Sequence, residues 1–255
     1  MAMEGWTFAA AALVFLAGGI IKGAFGFGLP LVTIAILPFL VPVEMALALN
    51  AVVLLVVNAA QAWQYRAGGA VGALALPVMA GMVTAIPIVT TLAIGLPPPV
   101  VLGVLGAFVI CFSLLELRPR AKAMATGAAD GAQVLPLWRG VGVGLIGGGV
   151  AALTSAPGPI FVMHLAALRL PRPRFMSVLG VLMCTAGLFL ASSLAVAGVL
   201  TASRGVMALT LLPTAFLGFW IGGRLAQRFS VEGFRRAVLV VLLVLGATMI
   251  HRALS

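Results

Sequence analysis

The stretch GGIIKGAFGFGLP, which runs from Gly18 to Pro30, interrupts a long apolar segment near the start of the chain. It carries five glycines, a proline and a lysine, whereas its flanks are apolar enough to lie in lipid. Glycine weakens a helix, and Pro30 cannot donate the backbone hydrogen bond that a continuing helix would need. Broken backbone is tolerated in a bilayer only where protein or a water-filled cavity receives its polar groups. The stretch therefore predicts a broken membrane helix that lines a pocket.

A second stretch of this kind, GGGVAALTSAPGP, lies 129 residues later, from Gly147 to Pro159. The glycine pair that opens each stretch and the proline that closes it align at this offset, and so do Pro42 and Pro171. Recurrence at a fixed offset predicts two structural repeats. They comprise residues 1–117 and 140–255, with a cytoplasmic linker at 118–139 between them.

Composition places the chain in a membrane. Of its 255 residues 63% are hydrophobic and only 8% are charged, and the mean hydropathy is +1.26. A soluble domain has about 25% charged residues. We distinguish eight apolar blocks, rich in Ala, Gly and Leu, which favour helices over a β-barrel. The sequence thus predicts an all-α integral membrane protein, and its net charge of +10 indicates topology-setting loops rather than nucleic-acid binding.

The basic residues indicate how each broken block meets the membrane. If each broken block crossed the bilayer once, the basic residues would divide evenly between the two sides, against the positive-inside bias. If each enters and leaves on one side, twelve basic residues lie in the cytoplasm and only Arg204 and Arg252 lie outside. The second broken block is too short for two full spans, which need about 40 residues. It is therefore predicted to be a re-entrant hairpin of two half-helices; the first is a hairpin or two short tilted spans.

The predicted repeats are inverted relative to each other. Each consists of a broken re-entrant or hairpin segment followed by three transmembrane helices, which makes an odd number of crossings. Inverted repeats are the architecture that secondary transporters use for alternating access.

The breaks are candidate anion sites. A half-helix begins with unpaired N–H groups and a partial positive charge, and a glycine-rich loop before a helix N-terminus binds anions. Gly26 and Gly28 allow close backbone approach in the first break. Thr154 and Ser155 supply hydroxyls in the second, where Gly158 keeps the approach open. The alternative is that the glycines only allow tight helix packing.

Lys22 is the charged residue that lies well inside an apolar block, and such residues are usually functional. It is predicted to attract the anion, with snorkelling to an interface as the alternative. In the second block Asn50 and Gln61 project within about 20° of each other on a helix, and Asn58 is nearby. This polar stripe either lines a ligand path or forms helix-to-helix hydrogen bonds.

Gly23 and Phe27 complete the candidate substrate-binding residues of the first break, and Thr185 is a weaker candidate in the sixth block. His164 titrates near neutral pH or serves in packing. Ser155 with His164 is the one candidate nucleophile–base pair for an intramembrane enzyme, and nine residues separate them. We therefore expect no enzyme, and no cofactor or metal site is predicted.

The glycine-rich breaks, the proline after each and the plan of four blocks plus four resemble the sulfite exporter TauE/SafE family over essentially the whole chain. The residues that carry the resemblance are Gly18, Gly19, Gly23, Gly26, Gly28, Pro30, Gly147, Gly148, Gly149, Pro157, Gly158 and Pro159. Thr154–Pro159 reads TSAPGP where the family often has further glycines, and Lys22 is not a hallmark of the family.

The resemblance implies a multi-pass permease of a bacterial-type inner membrane. Its substrate would be a small sulfur-containing anion such as sulfite or a sulfonate like sulfoacetate, bound near mid-membrane between the breaks. A coupling proton or sodium ion, surrounding lipid and a homodimeric assembly remain open as partners, and no nucleic acid is expected. The alternatives are an anion channel, a transporter of another small organic anion, an intramembrane enzyme and a scaffold subunit.

Overall fold

The computed structural model describes residues 4–69, 71–117, 136–168, 170–225 and 231–254, and these residues are predominantly helical. Short 3-10 helices follow α2 (Leu37–Phe39) and α3 (Arg66–Gly68). The α-helices are α1 (Gly5–Phe25), α2 (Leu29–Ile36), α3 (Val43–Gln64), α4 (Gly72–Ala93), α5 (Pro98–Leu117), α6 (Leu137–Thr154), α7 (Gly158–Ala167), α8 (Arg172–Val196), α9 (Ala202–Leu225) and α10 (Val231–Leu254).

Seven of the described helices are long and apolar enough to cross a membrane: α1, α3, α4, α5, α6, α8 and α9. This confirms the prediction of an all-α, multi-pass membrane protein. The structure differs from the sequence prediction at the second break. There α6 has 18 residues, about 27 Å at 1.5 Å per residue, so the segment pairs one helix of nearly full span with the short α7 rather than two half-helices.

Three helix boundaries at and after the breaks lie at corresponding positions in the two halves. The long helix before each break ends at Phe25 in the first half and at Thr154 in the second, which are 129 residues apart. The helix after each break begins at Leu29 and at Gly158, again 129 apart. The same offset relates the first residues of α3 and α8. The offset that aligns the glycines and prolines therefore also aligns the helix boundaries around the breaks.

Helix α1 packs against α9 through glycines on both helices. A Cβ atom on Gly19 would lie 2.3 Å from the Ala215 carbonyl oxygen, and one on Gly222 would lie 2.0 Å from the Ile20 carbonyl oxygen. Gly19 and Gly23 on α1 and Gly218 and Gly222 on α9 form two GxxxG patterns, which let helix backbones touch in lipid. Because the contacts advance in the same direction on both helices, α1 and α9 are parallel.

Helices α4 and α6 repeat this arrangement with the roles of the halves exchanged. A Cβ atom on Gly144 would lie 2.0 Å from the Val78 carbonyl oxygen, and one on Gly81 would lie 2.2 Å from the Val141 carbonyl oxygen. Further along, Gly148 approaches Met82. These two helices are also parallel. The first helix of each half thus pairs with the fourth helix of the other half.

Helices α3 and α8 cross between these two pairs in an antiparallel sense. Gly180 lies against Ala62, and Gly187 lies against Leu55, so that one helix descends as the other rises. Side chains of α8, including Leu179, Leu182 and Met183, form the largest buried apolar cluster together with residues from α3, α4, α6 and α7. The short helix after each break packs against this central pair, α2 against α3 and α7 against α8.

Candidate functional site

The first break is a short loop between α1 and α2. Helix α1 ends at Gly26, which adopts a left-handed conformation with φ of 84°, and Gly28 follows with φ of 109°. Glycine adopts this region without the steric cost that other residues meet. Pro30 occupies the first turn of α2, as predicted, where its missing N–H costs nothing.

The second break has the same form with different residues. Helix α6 ends at Ser155, which is left-handed with φ of 55° although it is not glycine. Helix α7 begins at Gly158, with Pro159 in its first turn. A left-handed non-glycine residue costs roughly 1–2 kcal/mol, so the surrounding structure holds Ser155 in a strained conformation.

The two breaks touch. A Cβ atom on Gly158 would be 3.4 Å from the Phe27 Cβ atom, which is ordinary van der Waals contact. Beside this contact Ala156 packs in one apolar cluster with Leu31 and Ala35 of α2. The structure therefore brings together Phe27 and Gly158, two of the predicted site residues from opposite halves of the chain.

The short helices α2 and α7 start where the breaks meet and lead away from each other. Helix α2 returns to the start of α3, helix α7 returns to the start of α8, and α3 and α8 are antiparallel. In the described structure no side chain caps the N-terminus of either short helix. Two uncapped N-termini, each with a partial positive charge, thus converge on one buried region.

Ser155 and Thr154 differ in what their hydroxyls do. Thr154 Oγ1 donates to the Val150 carbonyl at 2.7 Å and accepts from the Ala156 N–H at 3.2 Å, so it serves the local turn. Ser155 is fully buried, and its Oγ has no hydrogen-bond partner among the described residues. It is therefore not paired with His164, and the nucleophile–base pair that an enzyme would need is not formed there.

Lys22 lies next to the first break and is fully buried, so it does not snorkel to an interface. Its Nζ atom donates to Asn58 Oδ1 at 2.5 Å, to Gln61 Oε1 at 2.7 Å and to the Gly26 carbonyl at 3.4 Å. An ammonium group has three N–H donors. The three acceptors therefore match its protonated form, and all three are neutral oxygens.

The amides around Lys22 are oriented by their own hydrogen bonds. Asn58 Nδ2 donates to the Leu54 carbonyl at 2.6 Å, and Gln61 Nε2 donates to the Met176 carbonyl of α8 at 3.4 Å. These bonds turn both amide oxygens toward Lys22. The charged group is thus bound by dipoles, and among the described residues no carboxylate bonds to it.

Asn50 lies on the same side of α3, nearer its N-terminus, and contacts α2 instead of Lys22. Its Oδ1 accepts from the Thr33 hydroxyl at 2.8 Å, whereas its Nδ2 has no hydrogen-bond partner among the described residues. The predicted polar stripe of α3 is therefore buried along its length. Its oxygens form helix-to-helix hydrogen bonds, which was one of the two interpretations.

Three other predicted residues, Gly23, Thr185 and His164, lie on three different helices. Gly23 packs against α9, where a Cβ atom would lie 2.1 Å from the Phe219 carbonyl oxygen, so this glycine serves helix packing. The Thr185 hydroxyl donates to the Val181 carbonyl of its own helix at 2.9 Å. His164 is half-buried on α7.

A cavity of about 470 Å³ opens beside the Lys22 network at the C-terminal end of α3. Gly23, Gly26 and Gln61 form part of its wall, and two of them, Gly26 and Gln61, also bond to Lys22. Two arginines from other helices, Arg172 and Arg224, also face it. The remaining lining residues are Gln64, Tyr65, Met176, Phe216, Phe219, Trp220 and Gly223.

Sequence reasoning assigned Arg172 and Arg224 only to topology and did not single out Thr33. The charge pattern explains both arginines as loop residues, and nothing in their spacing indicates that they face one cavity. Asn58 was noticed because an amide in an apolar helix is unusual. Its partner Lys22 is 36 residues away, and helical periodicity does not relate residues on different helices.

Comparison with protein families gives a match that agrees with this architecture. The family described as "Sulfite exporter TauE/SafE" matches residues 10–249, which is nearly the whole chain. Comparison with curated proteins and with solved structures gives no match. The two broken segments, the seven described helices that are long and apolar enough to span a membrane, and a family match of this extent lead to one conclusion: the chain belongs to the sulfite exporter TauE/SafE family of membrane transporters.

Proposed function

We propose that this protein carries a small sulfur-containing anion, such as sulfite or a sulfonate, across the inner membrane by alternating access. The anion binds where the two breaks meet. Gly26, Phe27, Gly28, Ser155 and Gly158 surround it, and Lys22 supplies electrostatic attraction.

The convergence of the two breaks is the observation that carries the proposal. Two uncapped helix N-termini point their partial positive charges at one buried region, which favours an anion. Ser155 adds a buried hydroxyl without a protein partner. Such a group costs about 1–3 kcal/mol when it stays unsatisfied, so a bound ligand that accepts its hydrogen would recover this cost.

Alternating access rests on our proposal that the halves are inverted repeats. Lys22, near the end of α1, bonds to Gln61 near the end of α3, so α1 and α3 run in the same direction. The first broken segment therefore starts and returns at the end where α3 begins. By the same offset the second starts and returns where α8 begins. Since α3 and α8 are antiparallel, the segments enter from opposite faces, as in known inverted-repeat transporters.

The cavity supports access from the cytoplasmic side. It lies at the end of the bundle that carries Arg66, Arg172 and Arg224, which the positive-inside bias assigns to the cytoplasm. Arg172 and Arg224, which line the cavity, concentrate anions there. Asn50 and Gln61 mark a polar route along α3, about 17 Å long at 1.5 Å per residue, and Thr185 contributes at most a minor contact.

Thermal stability of the purified protein in a panel of anions tests the proposal. The panel contains the anions sulfite, sulfoacetate, thiosulfate, sulfate and chloride and the zwitterionic sulfonate taurine, because a ligand stabilises the state that it binds. The informative variants are Lys22→Ala and Ser155→Ala. Arg66→Gln and Ser203→Ala are matched controls, since both residues are exposed and neither lines the cavity.

We expect a selective rise in melting temperature with a sulfur anion, weakened in both site variants and unchanged in both controls. A shift of equal size in the site variants would place the anion elsewhere. No shift with any anion would remove the case for an anion carrier and leave the fold and the family as they stand.

A further inference from the structure

We propose that Lys22 is the proton-coupling group of the transporter, so that each anion crosses the membrane together with one proton carried on the Lys22 amine. This inference rests on the proposed anion transport and adds the coupling ion to it. It follows from the surroundings of the ammonium group and from its position beside the cavity.

The positive charge of Lys22 is buried without a counter-charge among the described residues. Moving an ammonium group out of water costs several kcal/mol even after the protein relaxes, and charged residues within a membrane are usually paired. Here the partners are the neutral oxygens of Asn58, Gln61 and Gly26. They satisfy the three N–H donors but leave the net charge uncompensated.

The missing counter-charge can enter from the cavity. Gly26 and Gln61 bond to the Lys22 ammonium group and also line the cavity, so an anion there lies one residue away from the charge. The Gly26 bond is the longest of the three, at 3.4 Å. An anion at the first break would therefore replace this bond with the smallest loss of hydrogen-bond energy.

Among the described residues, the other charged groups that line the cavity are cations. Helix α8 contributes Arg172 and helix α9 contributes Arg224, whereas α3 contributes the neutral Gln61 and Gln64, with Tyr65 just beyond its end. Arginine stays protonated in proteins. Of the described groups around Lys22, the buried amine without a counter-charge is therefore the one placed to release and rebind a proton.

Anion binding and protonation of Lys22 then favour each other. When the anion binds, the amine takes a proton from water in the cavity, and the pair carries no net charge for a monovalent anion. When the anion leaves on the other side, the ammonium group returns its proton to water there. The neutral amine keeps two N–H donors for Asn58 and Gln61 and gives up the longer bond to Gly26. By linkage, each of the two ligands raises the affinity for the other by the same factor.

Purified protein in sealed liposomes, with a pH-sensitive dye inside, tests this coupling. Thiosulfate and sulfoacetate are the probes, because both remain dianions near neutral pH, whereas sulfite changes its charge there. With one proton, each of these probes crosses as a pair with one net negative charge. For the wild-type protein we expect uptake of labelled anion to acidify the interior and to be driven by an inward proton gradient.

The variants separate coupling from binding. Lys22→Arg keeps the charge but cannot release its proton, so exchange of labelled for unlabelled anion should persist while net uptake and proton entry are lost. Lys22→Gln should abolish proton entry altogether. Arg66→Gln, at the same end of the bundle but outside the cavity lining, should behave as the wild type.

The outcomes distinguish this inference from the proposed function. If the wild-type protein shows neither net uptake nor exchange of either anion, the proposed function fails. If the anion enters and the interior pH stays constant, the proposed role of Lys22 is overturned and the proposed anion transport is not. This result comes from the wild-type protein alone, so it does not depend on whether the variants fold. Proton entry of wild-type size in Lys22→Arg would overturn it as well.

Discussion

Ser155 occupies in the second half the position that Gly26 occupies in the first. Both residues end the long helix before a break, both are left-handed, and they are 129 residues apart. A side chain at Gly26 would be strained, because its φ of 84° lies in the left-handed region. Serine at the equivalent position accepts this strain and adds a buried hydroxyl, to which we assign the proposed role in anion binding.

Replacing Ser155 should therefore raise stability and impair anion binding. Ser155→Ala removes an unpartnered buried hydroxyl, and we expect the free energy of unfolding to rise by about 1 kcal/mol. Ser155→Gly also removes the left-handed strain, although the greater chain entropy of glycine offsets much of this gain. Thermal melts with and without the anion measure both effects. A variant that is less stable without anion, or that keeps the full anion-induced shift, would contradict this account.

The close contact of α6 with α4 makes Gly144 intolerant of any side chain. We expect Gly144→Ala to lower the free energy of unfolding by about 1–3 kcal/mol, as overpacking does, because its Cβ atom would lie 2.0 Å from the Val78 carbonyl oxygen. Gly142 is a matched control on the same helix, with nothing within 4 Å of such an atom. Gly142→Ala should be neutral or stabilising by about 0.4–1 kcal/mol; equal losses in both variants would argue against this helix pairing.

The bond between Thr33 and Asn50 should contribute a measurable coupling energy. In a double-mutant cycle with Thr33→Val and Asn50→Leu, we expect an interaction of about 0.6 kcal/mol, the average for such bonds in membrane helices. Chemical or thermal unfolding of the four proteins in detergent gives the value. Strictly additive effects would mean that the 2.8 Å contact does not stabilise the fold.

The proposed orientation predicts which loops a membrane-impermeant thiol reagent reaches. In a protein whose native Cys111 and Cys184 have been replaced, we expect Ser203→Cys to react in intact cells. Ala67→Cys, near Arg66, should react only after the membrane is opened. Both positions are exposed. The opposite pattern would invert the orientation, and labelling of both from outside would refute the arrangement of the spans.

The breaks could be predicted from the sequence because glycine and proline act on the backbone where they stand. Gly26, Gly28 and Pro30 define the first break in the structure as they do in the sequence. The length of α6 was not foreseen, because its glycines predict a weak helix when read alone. Those glycines instead pack against α4. This tertiary contact stabilises a helix that the low helix propensity of glycine disfavours.

The details of the site depend on contacts between distant residues. Lys22 stood out because a charge in an apolar block is rare, but its bonds to Asn58 and Gln61 join different helices. Thr154 and Ser155 are adjacent and chemically similar, and only the backbone geometry decides that one hydroxyl serves the turn while the other is left unpartnered. Sequence patterns do not show which of two adjacent hydroxyls bonds to the backbone and which has no partner.

The glycine contacts of α1 with α9 and of α4 with α6 determine which parts of the molecule can move. Backbones in direct contact cannot slide without separating, so we expect each pair, which draws one helix from each half of the chain, to move as one body. The proposed alternating access would then shift these two pairs against each other along α3 and α8. The predicted sequence repeats and the expected moving bodies therefore divide the protein differently, and neither half on its own would contain a complete moving body.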